Sequence, residues 1–204
     1  DWAEAKGALA YPAERVTTFS PKSLSVLEIR SERDLAVLTK IYANSVLLGD
    51  DGPDGWGIRY AQGDFNMTSD SKLFIPRDKA EAAGYEADEY GRWIGPEGDV
   101  LLPLYEGRMI GQFDFSEKGW VSGKGRSAVW REIPWEEKRI EPQYLMRRED
   151  YTNAKDRESA PKAVRGLKLG FMDVSSATNT RTTIAALTFD CPHGNKVPVL
   201  ACAD

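Results

Sequence analysis

The sequence has 204 residues, of which 41% are hydrophobic and 29% charged, and its net charge is -5 at pH 7. This composition excludes a disordered chain and a coiled coil, and the length favours one core with a smaller appendage. No apolar run approaches the roughly 18 residues that a membrane span needs, and two cysteines are too few for a disulfide framework, so we expect a cytoplasmic protein.

The first 92 residues predict an α/β segment. SERDLAVLTKIYAN (31–44) is typical of an amphipathic helix that Ser31 caps. SLSVLEIR (23–30) and WGIRYAQ (56–62) predict short strands, and DKAEAAGY (78–85) predicts a short helix that ends at Gly84. We interpret residues 1–92 as a connector that packs on a neighbouring domain.

Residues 93–204 are dominated by strand signals. Apolar runs of about 5 to 8 residues alternate with Gly, Pro, Asn and Lys, which favours a mostly antiparallel sheet or partly open barrel with a few packed helices. The runs are DVLLPLY, AVWREI, QYLMRRE, LKLGFMDV and TTIAALTF. The expected fold class is therefore α+β and β-rich, with 93–204 as the recognition part of one continuous module.

The charge is unevenly distributed along the chain. Residues 1–117 contain 12 Lys and Arg against 21 Asp and Glu, whereas residues 118–181 contain 14 against 9. A basic segment inside an acidic protein indicates a polyanionic partner, although such runs are more often solvated faces. The polar stretch 151–166 predicts a long loop or weak helix that adds Lys162 and Arg165 to this basic segment.

Three stretches combine long polar side chains with apolar ones, LPLYEGRMIGQFDF (102–115), SSATNTRTTIAAL (175–187) and FNMTSDSKLF (65–74). Such side chains either form buried networks that fix loops, or they project toward base edges and phosphates. We call the first stretch, residues 102–115, the ridge. Within it, we expect Tyr105, Met109, Ile110 and Phe113 to be buried and to anchor the ridge, and we expect Glu106 and Asp114 to bind other residues inside the protein. Arg108 and Gln112 remain as the candidates to contact nucleic acid, and Asn179 and Arg181 are the candidates in the second stretch.

Signatures of catalysis are weak. We find no GxGxxG, phosphate loop, HExxH or GxSxG. His193, with Cys191 and Cys202, offers at most three soft metal ligands, so we interpret it as part of a turn. EEK (136–138) lacks the spacing of a metal-dependent nuclease, although a nuclease that uses acids of the first half stays an alternative.

Four runs, RSERDLAVLTKIYANSVLL, WGIRYAQGDFNMTSDSKLF, LLPLYEGRMIGQFDF and FMDVSSATNTRTTIAAL, occur in an order that resembles large bacterial N6-adenine DNA methyltransferases. The resemblance is to the type IIG restriction-modification kind and its phage-defence relatives, and it spans roughly residues 19 to 200. Residues 117–133 depart from the family pattern, as a segment that determines specificity would.

The resemblance implies the target-recognition part of such an enzyme, bound to double-stranded DNA and to an upstream methyltransferase domain of the same polypeptide. The catalytic Asn-Pro-Pro-aromatic motif and the S-adenosylmethionine loop would lie upstream, so we expect no cofactor, metal or catalytic residue here. The start at Asp1 fits a piece of a longer chain. The alternative is a non-catalytic domain that binds an acidic protein.

Combining charge, motifs and resemblance, we predict a set of DNA-contacting residues. Glycines at 119, 123 and 125 would let the basic segment approach the DNA backbone closely. The predicted contacts are Arg108, Gln112, Lys118, Lys124, Arg126, Arg131, Lys162, Arg165, Asn179 and Arg181.

Overall fold

The computed structural model describes residues 9–50, 52–154, 166–176 and 178–202, without the side chain of Cys202. It contains two compact units, Asp1–Gly57 and Ile58–Asp204. The predicted division at 92–93 stays a prediction, since it concerned function. Strands on both sides of that position nevertheless pair with each other in the second unit.

The described part of the first unit is helical. Helix α1 spans Ala13–Phe19 and helix α2 spans Glu32–Ala43. The predicted cap is confirmed, because the Ser31 hydroxyl accepts a hydrogen bond from the Asp34 amide at 3.2 Å. The two helices contact through the rings of Phe19 and Tyr42, whose centroids are 4.7 Å apart.

The strand predicted at 23–30 is wrong. These residues form no regular element, Leu24 has a positive φ of 51°, and the Val26 side chain is 71% exposed. Alternating apolar residues form a strand only where another strand supplies hydrogen-bond partners, and no described residue pairs with this stretch.

The described residues of the second unit form three antiparallel sheets. The predicted α+β class is confirmed, and the described residues form no closed barrel. The helices are α3 (Arg77–Ala82) and α4 (Arg148–Asn153), and the strands are β1 (Ile58–Ala61), β2 (Phe74–Pro76), β3 (Glu86–Ala87), β4 (Trp93–Ile94), β5 (Val100–Pro103), β6 (Lys118–Ser122), β7 (Val129–Glu132), β8 (Tyr144–Arg147), β9 (Lys168–Phe171), β10 (Ala185–Thr188) and β11 (Val199–Cys202). One sheet has the order β1-β11-β9-β10, another has the order β2-β8-β5-β4-β3, and β6 and β7 form a hairpin.

Most strands predicted from apolar runs are present, at shorter lengths than the runs. The first strand of the unit, β1, pairs with its last, β11, so that Ile58 lies opposite Cys202. A helix in the ridge 102–115 is absent: Gly107–Met109 form a single 3-10 turn after β5. No helix among the described residues is long and apolar enough to cross a membrane.

The core of the second unit joins the two larger sheets. Isolated parallel bridges connect Phe65 with Gly194 and Tyr105 with His193. Because these bridges bring the turn at 191–194 against the ridge that follows β5, the ridge is fixed on the inside of the unit. The main apolar cluster consists of Phe65, Leu102, Tyr105, Met109, Ile110, Ile140, Met146, Tyr151, Ala154, Ala186, Cys191 and Val197.

Candidate functional site

A buried ion pair fixes the turn at 191–194. Lys168 on β9 is fully buried, and its Nζ donates to Asp64 Oδ2 at 2.6 Å, to the Tyr151 hydroxyl at 2.9 Å and to the Cys191 carbonyl at 3.0 Å. Burial alone would raise the pKa of Asp64, but a hydrogen bond from His193 and the charge of Lys168 outweigh it and lower that pKa. The ionised form of Asp64 is therefore favoured, and its contact with Lys168 fixes the turn without reaching solvent.

His193 belongs to the same network, which sequence reasoning missed. Its side chain is fully buried, with Nδ1 2.8 Å from the Cys191 carbonyl oxygen and Nε2 2.8 Å from the Thr188 hydroxyl. Desolvation lowers the pKa of the imidazole, so the neutral form fits, donating to Cys191 and accepting from Thr188. The signal in the sequence was a histidine between proline and glycine beside apolar runs, which alone does not separate a core residue from a turn.

In the described part of the chain, no group of three His, Cys, Asp or Glu side chains is placed so that it could hold a metal ion. The side chain of Cys202 lies outside that part. Within EEK, Glu136 and Glu137 are exposed, whereas Lys138 turns inward to the Asp114 carboxylate at 2.5 Å. The ion pair between Lys138 and Asp114 therefore stabilises the turn at 111–114 of the ridge.

A first groove, of about 460 Å³, contains Arg108. Burial raises the pKa of its neighbour Glu106 to about 7, against the opposing charge of Arg108. Glu106 Oε1 and the indole nitrogen of Trp130 are both buried without a hydrogen-bond partner among the described residues. The expectation that Glu106 is an internal partner therefore fails for this oxygen. The groove is lined by Met67, Glu106, Gly107, Arg108, Gly125, Ala128, Trp130, Gln143, Tyr144, Met172, Asp173, Val174, Gly194 and Lys196.

A second groove, of about 580 Å³, brings together Gln112, Asn179 and Arg181 from two of the polar motifs. Strand β10 causes this proximity, because the Phe113 amide donates to the Ala185 carbonyl at 2.8 Å and the Ala185 amide donates to Gln112 Oε1 at 3.3 Å. With its oxygen engaged, Gln112 presents its amide NH₂ as a donor. The groove is lined by Gly111, Gln112, Asp114, Glu117, Trp135, Thr178, Asn179, Thr180, Arg181 and Ile184.

Phe113, expected to anchor the ridge, is the clearest correction. Tyr105, Met109 and Ile110 are at most 1% exposed, as expected, but the Phe113 side chain is 76% exposed. Its backbone adopts φ 61° in a tight turn, and this conformation directs the ring outward from the ridge. Asp114 is buried as expected and pairs with Lys138.

The β6–β7 hairpin carries four of the predicted cations, Lys118, Lys124, Arg126 and Arg131. Lys124 and Arg126 are exposed in its connecting turn, and Lys118 is half-buried on β6. Glycines at 123 and 125 adopt φ of 73° and 59°, which L-residues rarely take, so they permit this turn. Neither exposed cation forms an ion pair with the residues that the structure describes.

Arg131 differs from the other three cations. Its guanidinium binds both Glu141 oxygens, at 3.1 and 2.7 Å, and lies 3.5 Å from Glu137. Two carboxylates thus neutralise it, and we assign it to the hairpin's own stability. Lys162 and Arg165 lie outside the described residues.

Comparisons of the chain with protein-family models, with curated proteins and with solved structures give no match.

Proposed function

We propose that this chain reads double-stranded DNA as the target-recognition part of an adenine-specific DNA methyltransferase of the restriction-modification kind. In this proposal the chain holds the duplex while an upstream domain binds S-adenosylmethionine and transfers the methyl group. The chain itself is assigned no catalytic residue, and its DNA partner places it in the cytoplasm.

The observation that carries the proposal is the second groove. Gln112 and the pair Asn179 and Arg181 come from motifs about 70 residues apart in the sequence, yet they line one surface. Amide and guanidinium groups are the side chains that read adenine and guanine edges in the major groove. Such convergence of base-reading chemistry favours a recognition surface over a set of unrelated solvated residues.

The hairpin supports the proposal with affinity that does not depend on sequence. Lys124 and Arg126 are exposed at a glycine-containing turn that can approach a phosphate backbone closely. Cations that neutralise phosphates release condensed counterions, and this gives salt-dependent binding. Arg108 in the first groove is a further exposed cation of the same unit.

The test is the salt dependence of duplex binding by the 204-residue chain, measured by fluorescence anisotropy from about 50 to 200 mM salt. We expect the logarithm of the association constant to fall linearly with the logarithm of salt concentration. Arg126→Ala should weaken binding to all duplexes alike and lower the slope by about one, whereas Arg181→Ala should relax preference at one base position, costing about 1–3 kcal/mol.

Two matched variants are controls. Arg131→Ala removes a cation that carboxylates already neutralise, so it should leave the salt slope unchanged. Arg30→Ala removes an exposed arginine of the first unit that pairs with Glu28. Binding without salt dependence, or equal effects of all four substitutions, would contradict the proposal. No binding at low salt would instead favour the domain that binds an acidic protein.

A further inference from the structure

The Phe113 ring is the most exposed large apolar side chain among the described residues, at 76%. It is also one of two described non-glycine residues with a positive φ, at 61°. For a bulky residue this backbone conformation is strained, and a solvated ring gains nothing from the hydrophobic effect. Phe113 is therefore unfavourable for stability in two ways, through its backbone conformation and through the exposure of its ring.

The turn that carries the ring is rigid. Gly111 and Asp114 exchange backbone hydrogen bonds of 2.9 and 3.2 Å across it, and the Phe113 amide donates to the Ala185 carbonyl at 2.8 Å. Asp114 fixes the inner side, since its carboxylate binds Lys138 and accepts from the Ser116 amide at 3.0 Å. Because Ile110 just before the turn is only 1% exposed, the ring stands on a fixed base rather than on a mobile loop.

Phe113 adjoins the second groove along the chain, although its own side chain is not part of the lining. Its sequence neighbours Gln112 and Asp114 both line that groove, and Trp135 on the same groove is 65% exposed. Arg181 supplies a positive charge there, and Glu117 supplies a carboxylate. An exposed ring one residue along the chain from a groove with amide and guanidinium donors offers the two chemistries that contact bases, stacking on the face and hydrogen bonding at the edge.

We propose that Phe113 is a wedge that inserts into the base stack of duplex DNA lying across the second groove. This inference rests on the proposed function and assigns one residue a mechanical role in it. Apolar side chains between base steps unstack and kink a duplex, and an enzyme that modifies a base must first take it out of the stack. A ring held outward in advance inserts with little loss of conformational freedom, and it fills the space that the displaced base leaves.

The test compares the affinity of the chain for an intact duplex and for the same duplex with one abasic site. The wild type should bind the abasic duplex at least about 5-fold more tightly, because that duplex has no base that the ring must displace from the stack. Phe113→Ala should reduce this ratio to about one while keeping the salt slope. Phe113→Trp, which retains a stacking surface, should keep the ratio.

Controls separate insertion from folding and from binding itself. Phe113→Gly should remove the preference with an unchanged or higher Tm, since glycine adopts the same φ without strain. Tyr90→Ala removes another exposed ring, 67% exposed, and should change nothing. If the wild type binds no duplex, the proposed function fails. If it binds with the expected salt slope but shows no abasic preference, or if Phe113→Ala keeps that preference, only the wedge is overturned.

Discussion

Replacing Lys168 by methionine is expected to lower the free energy of unfolding by about 3–5 kcal/mol, the cost of removing one partner of a buried ion pair. The side chain is fully buried, and its ammonium supplies hydrogen bonds to three oxygens on separate segments. Methionine fills a similar volume, so the loss isolates charge and hydrogen bonding from packing. The carboxylate of Asp64 then stays in the interior without the ammonium that lowers its pKa.

Chemical denaturation at pH 7 measures this effect, with Lys40→Met on the exposed side of α2 as the control. The double variant Asp64→Asn, Lys168→Met should lose less than Lys168→Met alone, because it also removes the buried charge. Equal stability of Lys168→Met and the wild type would show that the pair does not stabilise the turn at 191–194. The folded-state pKa values of Asp64 and His193 are both lowered, so the contribution of these two groups to stability should fall as pH falls, first below the ordinary pKa of histidine.

Replacing Glu106 by glutamine is expected to stabilise the protein above pH 7 and to have little effect below pH 4.5. Burial raises the pKa of this carboxyl from 4.5 to about 7, so the folded state binds a proton more tightly than the unfolded state does. The contribution of Glu106 to stability consequently falls as pH rises through this window, and the loss is complete above the folded pKa. A shift of this size corresponds to at most about 3 kcal/mol, and to less where water reaches the second carboxylate oxygen.

Thermal unfolding of the wild type and of Glu106→Gln at pH 5 and pH 8 tests the direction of this pH dependence. The difference in Tm between Glu106→Gln and the wild type should grow from the lower pH to the higher one. Glu97→Gln, at an exposed position, should show no such growth. A constant difference at both pH values would mean that Glu106 titrates normally.

The parts of the fold that local chemistry determines were predictable. Ser31 caps α2 because a hydroxyl at that position satisfies an amide of the first turn, and the strands of the second unit follow from apolar runs. The stretch 23–30 has the same kind of run and forms no strand, since pairing depends on residues far away. The predicted burial of Phe113 is wrong for a related reason. Hydrophobicity predicts burial, but the backbone of one tight turn directs the side chain outward.

The sequence predicts the chemical types of the residues in the site, but it does not predict which of them lie close together. Gln112, Asn179 and Arg181 were identified as candidates because of their donors, but their proximity depends on how β10 lies against the turn at 111–114. The lysine in LKLGF resembles a solvated strand residue, and nothing near it in sequence indicates that its partner is Asp64. Long-range pairing of charges has no local signature, whereas the exposed cations of the hairpin require no partner.

The pairing of β1 with β11 also constrains how the second unit is made. Ile58 meets Cys202, so the first sheet lacks an edge strand until the last residues of the unit have been synthesised. Contacts of such sequence separation carry a large loop-closure cost and slow folding. During translation β1 therefore has no partner strand until β11 has left the ribosome, and we expect the second unit to reach its native state only after that point.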